Sequence, residues 1–109
     1  MKYITWLGSD GEPRVSLTTD DHDVWSGQDD IAAVAGAVCQ LTADWVKAHG
    51  GCPASFVEND SDEAYERGVK KWIATLEKMA AGFGHIDDDD SAVDEAFTLL
   101  AKHWRGIWT

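Results

Sequence analysis

The chain is poor in cysteine, in positive charge and in long apolar runs, and each shortage excludes something. It has two cysteines and two prolines in 109 residues. Two thiols cannot form a disulfide framework, and no CxxC or HxxxH spacing offers zinc enough soft ligands. With 28–49 helical, Cys39 lies ~15 Å below the helix end at 1.5 Å per residue. Only Gly50 and Gly51 then precede Cys52, so the two thiols are expected to stay reduced. Lys and Arg number nine against twenty Asp and Glu, a net charge of −11. That balance excludes direct binding of a phosphate backbone and of anionic membrane surfaces. No apolar run approaches the ~18 residues of a membrane span. Met1-Lys2-Tyr3 runs straight into patterned sequence rather than into a signal peptide, so the expected compartment is a cytoplasm.

Familiar catalytic signatures are also missing. There is no Gly-x-Gly-x-x-Gly, no P-loop and no recognisable nucleophile motif. An EF-hand starting at Asp87 fails, because its sixth position is Ala92 rather than Gly and its twelfth is Thr98 rather than Glu. His22, His49, His85 and His103 stand far apart in the chain. No catalytic residue, metal ligand or cofactor is expected, and enzyme is the minority reading.

What is present is a single domain's worth of patterned sequence. Apolar residues make up 44% of the chain, enough for a core. Six tryptophans can each bury roughly 150–250 Å². Residues 2–19 read as a β-hairpin, with Ile4 and Trp6, then Val15 and Leu17, alternating around the turn-rich stretch Gly8-Ser9-Asp10-Gly11-Glu12-Pro13. A helix is expected over 28–49, opened by Ser26 and Asp29 at capping-box spacing and closed by Gly50-Gly51 and Pro53. Its apolar stripe is Ile31, Val34, Ala35, Val38, Leu41, Thr42, Trp45 and Val46. A second helix over 61–83, with Asp60 and Glu63 as capping box, carries Tyr65, Val69, Trp72, Leu76, Met79 and Phe83. A third over 92–107, capped by Ser91, carries Val93, Phe97, Leu100, Trp104 and Ile107. One-sided helices with short connections predict a mainly α fold, an antiparallel three-helix bundle with the N-terminal hairpin packed on it. Trp45, Trp72 and Trp104 fall on stripes and are expected in the core. Trp6 and Trp108, near the chain ends, are candidate partner contacts.

Most acidic residues gather in three windows, 20–30, 58–66 and 87–95, each at a predicted helix start. Complementing the helix dipole explains most of this pattern, at about 0.3–1 kcal/mol per well-placed charge. Two sharper readings stand beside it. The first and third helices start at one end of an up-down-up bundle. There Asp20, Asp21 and Asp23 would join Asp87, Asp88, Asp89 and Asp90 in an acidic surface able to imitate DNA and block a host nucleic-acid-binding protein. Alternatively, Glu63-x-x-Glu66 and Asp87-x-x-Asp90 echo the magnesium carboxylates of all-α nucleotide pyrophosphatases.

The face of the first helix opposite its stripe holds Ala33, Gly36, Ala37 and Gln40, then Asp44 and Lys47. A helix with so little polar surface is enclosed. Either this helix is central, covered by its neighbours and the hairpin, or the small residues admit a partner helix, in a homodimer or a host protein.

In order and spacing the chain resembles a family of small tailed-phage proteins without an assigned activity, over roughly its last 90 residues. The resemblance is carried by Asp23-Val24-Trp25, by Gly51-Cys52-Pro53, by Trp72 through Met79 to Phe83, and by Phe97 through Ala101-Lys102-His103-Trp104 to Trp108. Cys52 replaces an expected aromatic residue, and the N-terminal hairpin is foreign to the family. The resemblance implies a phage product acting in the cytoplasm of an infected bacterium, and the Ala, Gly and Asp content suits an actinobacterial phage. It implies no catalytic residue. The expected function is therefore that of a non-enzymatic phage accessory protein that binds another protein, such as a bacterial host factor. The DNA mimic, the pyrophosphatase-like enzyme and a virion component are the alternatives.

Overall fold

The computed structural model describes residues 2–18 and 27–108. Asp20, Asp21, Asp23, Trp25 and the proposed Ser26 cap lie outside the described residues. The elements in order are strands β1 (Lys2–Leu7) and β2 (Pro13–Thr18), then helices α1 (Gly27–His49), α2 (Asp62–Phe83) and α3 (Asp90–His103). A 3-10 turn at Ala54–Phe56 precedes α2, and another at Trp104–Trp108 follows α3. The fold is the expected three-helix bundle with an N-terminal hairpin. None of its described helices is long and apolar enough to cross a membrane.

The hairpin is antiparallel, with Lys2 opposite Thr18 and Leu7 opposite Pro13. Its loop is closed by Gly8 N–H donating to the Glu12 carbonyl at 2.8 Å and by Glu12 N–H donating to Asp10 at 3.0 Å. Arg14 pairs with Asp10 at 2.6 Å. The backbone bond from Glu12, then Arg14, hold the Asp10 carboxyl below its usual range. The register puts Ile4 opposite Ser16 and Trp6 opposite Arg14, while Val15 is opposite Thr5. Ile4 and Trp6 therefore share one face, Val15 has the other, and only Val15 is half-buried. The hairpin lies on α1, mainly through β2. At its turn end, Glu12 reaches His49 Nε2 at 2.9 Å.

The helix starts use different caps from those the spacing suggested. Ser61, not Asp60, accepts the Ala64 N–H of α2 at 3.1 Å. Asp89, not Ser91, caps α3, accepting from the N–H groups of Ser91 and Ala92 at 3.1 and 3.2 Å. These backbone and side-chain bonds, led by that from the Ser91 hydroxyl, hold the Asp89 carboxyl below its usual range. α1 ends as expected, at Gly50 and Gly51 with φ of 77° and 104°.

The core is built on α2. Trp72, Leu76, Met79 and Phe83 are fully buried and meet Ala32, Cys39, Ala43 and Val46 of α1 and Ala96 of α3. Both α1 and α3 pack on α2, and they barely approach one another. The central helix is thus α2, which corrects the expectation that the first helix holds that place. The reason is size: α2 supplies the bulky side chains, and its neighbours supply small ones that let it come close. The thiols of Cys39 and Cys52 are free, and burial pushes Cys39 up to about 11.

Two glycines separate tight from relaxed approach. A Cβ at Gly82 would sit 2.8 Å from both the Ala92 carbonyl and the Ala96 methyl, whereas one at Gly36 would stand 3.4 Å from Phe83 Cβ. Gly82→Ala is expected to lower stability by about 1–3 kcal/mol through overpacking. Gly36→Ala should stay within about 1 kcal/mol of wild type, because the helix-propensity gain offsets the tighter contact. Urea unfolding of the two variants checks the contrast.

Candidate functional site

α1 carries two apolar rows rather than one. Ala32, Gly36, Cys39, Ala43 and Val46, at steps of four and three, are the buried row that meets α2. Ile31, Val38 and Trp45, spaced by seven, form a second row and are 60%, 37% and 42% exposed. At about 100° per residue, the second row lies roughly a third of a turn round the helix from the first. α3 repeats the arrangement with the opposite sense. Ala92, Ala96, Leu99 and His103 turn toward α2, while Phe97 and Trp104, again seven apart, are 39% and 52% exposed. Trp45 and Trp104 are therefore not core residues, which corrects the expectation for both; Trp72 alone of the three is enclosed.

α2 runs antiparallel to both neighbours, so α1 and α3 are parallel and their second rows turn to the same side. At the end where both helices start, Ile31 of α1 meets Ile86, Asp90, Val93, Asp94 and Phe97 around a notch of about 400 Å³. Phe97 closes the floor there, edge-on to Phe83 with ring centroids 4.8 Å apart. The result is an open apolar side between α1 and α3, opposite α2.

Charge along this side is uneven. Asp90 and Asp94 stand on the notch, and Asp87, Asp88 and Asp89 precede them. Of the run, Asp89 is committed to capping, and Asp88 lies 3.0 Å from His85 Nδ1. Toward the other ends of α1 and α3 stand Lys102, His103, Arg105 and His49, the last paired with Glu12 of the hairpin. Arg105 lies over the Trp104 ring at 5.3 Å, and His49 stacks on Trp45 at 4.6 Å.

The residues singled out from sequence fall in several places. Gly36 and Ala37 are buried and Ala33 and Gln40 half-buried, with Gln40 donating to Asp44 at 3.0 Å. Of that row, Ala33 and Gln40 keep part of their surface in water, while Gly36 and Ala37 are enclosed. Trp6 is exposed on the outer hairpin face. Trp108 ends the last 3-10 turn, and its side chain lies outside what is described. Glu63 and Glu66 start α2 whereas Asp87 and Asp90 follow its end, about 30 Å away along the helix. The two carboxylate pairs of the pyrophosphatase reading cannot share a metal ion. Sequence reasoning missed the grouping of Ile31, Val38 and Trp45 as a row distinct from the core, although their seven-residue spacing was a usable signal.

A second depression, on the other flank of α3, is lined by Ser55, Phe56, Lys71, Lys102 and His103. The His103 ring sits 5.2 Å from Phe56 and 5.9 Å from Trp72. Burial, then the charge of Lys102, lower its pKa from the ordinary 6.5.

Comparison with protein-family models, with curated proteins and with solved structures yields no match.

Because the folded pKa of His103 lies below its ordinary 6.5, the folded chain binds fewer protons than the unfolded chain just below pH 6.5. The His103 contribution to stability is expected to be complete above that value and to fall as pH drops through the lower, folded pKa. A proton-exchange titration by NMR and unfolding curves at pH 7.5 and 5.5 check this, with His103→Phe removing that part of the pH dependence.

Proposed function

We propose that the chain is a non-enzymatic phage accessory protein that acts by binding a protein of the infected bacterium, and that the open side between α1 and α3 is its binding surface. One observation carries the reading: Ile31, Val38 and Trp45 of α1, Phe97 of α3 and Trp104 just beyond it are all exposed, beside helix rows that are buried. Burying a large apolar side chain is worth about 1.5–3 kcal/mol. Leaving five of them partly in water forgoes an amount comparable with the ~5–15 kcal/mol total stability of a domain. Exposed apolar surface of this kind, rimmed by charge, marks an interaction site. Aromatic anchors such as Trp45, Phe97 and Trp104 are the residue types that dominate binding energy.

The acidic residues support a narrower form of the same reading. Asp87, Asp90 and Asp94 cluster where α1 and α3 begin, as a mimic of a phosphate backbone requires. An apolar notch at the middle of that cluster favours a protein partner held by burial, with charge as the guide.

The test is affinity purification from bacterial host cells with wild-type chain and Val38→Asp. A host protein enriched by wild type, at least tenfold less by Val38→Asp and equally by Ile4→Ala, supports the reading. Equal enrichment by all three, no enrichment at all, or magnesium-dependent release of pyrophosphate from nucleotides would contradict it.

A further inference from the structure

In a four-helix bundle each helix packs on two neighbours and stands diagonal to the remaining one. α1 and α3 both pack on α2, run parallel and barely meet, which is the diagonal relation. The corner opposite α2 is the open side described above. We infer that this corner receives one amphipathic α-helix of the partner protein, running antiparallel to α1 and α3 with basic residues at the end that meets the notch, so that the complex is a four-helix bundle. The inference rests on the protein-binding reading and adds the chemistry of the partner.

Spacing specifies a helix. Ile31 to Trp45 spans about 21 Å at 1.5 Å per residue, the length of a four-turn helix laid alongside. The seven-residue repeat of Ile31, Val38 and Trp45 on α1 matches the repeat with which helices interlock, and Trp104 follows Phe97 of α3 at the same interval. A strand, repeating every two residues, would bring its side chains past these rows out of step. No described segment of the chain fills the corner. The hairpin meets the row at one end, where Glu12 reaches the His49 ring that stacks on Trp45, and the five residues of Trp104–Trp108 are too few to span the row.

Charge specifies the polarity. The chain holds twenty acidic residues against nine basic, and Asp90 and Asp94 line the notch. A second copy would bring another −11 to the contact, whereas a basic helix relieves the repulsion. The notch lies where α1 and α3 begin, so an antiparallel helix ends there. Helix ends are where Lys and Arg are favoured and where the dipole is complementary to two neighbouring helix starts.

The probe is a blocked 21-residue synthetic helix with leucine at the first and fourth heptad positions and lysine concentrated in its last two turns. Its control carries glutamate for every lysine. Calorimetric titration into the whole chain is expected to show one peptide per chain, with a rise in peptide helicity by circular dichroism. Binding should weaken at least tenfold with Ile31→Asp or Val38→Asp, and severalfold with Asp90→Asn plus Asp94→Asn. Ile4→Ala, on the outer hairpin face, should leave it unchanged, and the glutamate control should bind at least tenfold more weakly. Ile31 and Val38 already face water in part, so both variants keep wild-type dichroism. Three results would overturn the inference: no saturable binding, binding indifferent to both α1 variants, or a chain that sediments as a dimer dissolved by Val38→Asp. Should the host protein still be captured through Val38 while the lysine helix fails to bind, the helical partner alone is refuted. Loss of both refutes the binding surface itself.

Discussion

The close approach of α2 to its two neighbours determines the rest of the molecule. It is permitted by small residues on both sides: Ala32, Gly36 and Ala43 facing Phe83 and its row, and Gly82 against Ala92 and Ala96. Trp72, Leu76, Met79 and Phe83 then fill nearly all the space between the helices. No room remains in that seam for further bulky side chains, because interiors are packed at the density of crystals. Ile31, Val38 and Trp45 of α1 are accordingly turned aside, toward a corner that no described element fills, while Val46, and Val93, Leu99 and Leu100 of α3, stay against the core.

Much of this fold was legible in the sequence, since the signals for it are local. Apolar periodicity located all three helices, and Gly50-Gly51 ended α1 as its backbone freedom suggested. The stripe of α2 was identified correctly from Trp72 to Phe83 because its large residues are also its buried ones. On α1 the two properties separate. A count of hydrophobicity weights Ile31, Val38 and Trp45 above Ala32, Gly36 and Ala43, although only the small row permits helices to approach. Trp104 misled as well: Val93, Leu100 and Ile107 of its stripe reach the core, while Trp104 itself is 52% exposed. The register of the hairpin separates Ile4 and Trp6 from Val15 through strand pairing, which alternation within a single strand does not reveal.

The acidic clusters have a similar division between local and global causes. Asp89 is a cap, and its carboxylate is consumed by the start of α3. Its neighbours Asp87 and Asp90 serve the same helix start through the dipole. The sequence showed that much. That Asp90 and Asp94 flank an apolar notch shared with Ile31 follows only from the parallel placement of α1 and α3, a relation fixed by the helix between them. Helix-start electrostatics and partner recognition are therefore two uses of the same carboxylates. The first orders α3, and the second gives the open corner a sign.

Hydroxyl-radical footprinting of the dilute chain, read residue by residue in a mass spectrometer, tests the open corner most directly. Trp45, Phe97 and Trp104 should oxidise at rates typical of residues in water, while Trp72, Met79 and Phe83 resist. Protection of Trp45 and Trp104 equal to that of Trp72 in the dilute monomer would contradict an unoccupied fourth position.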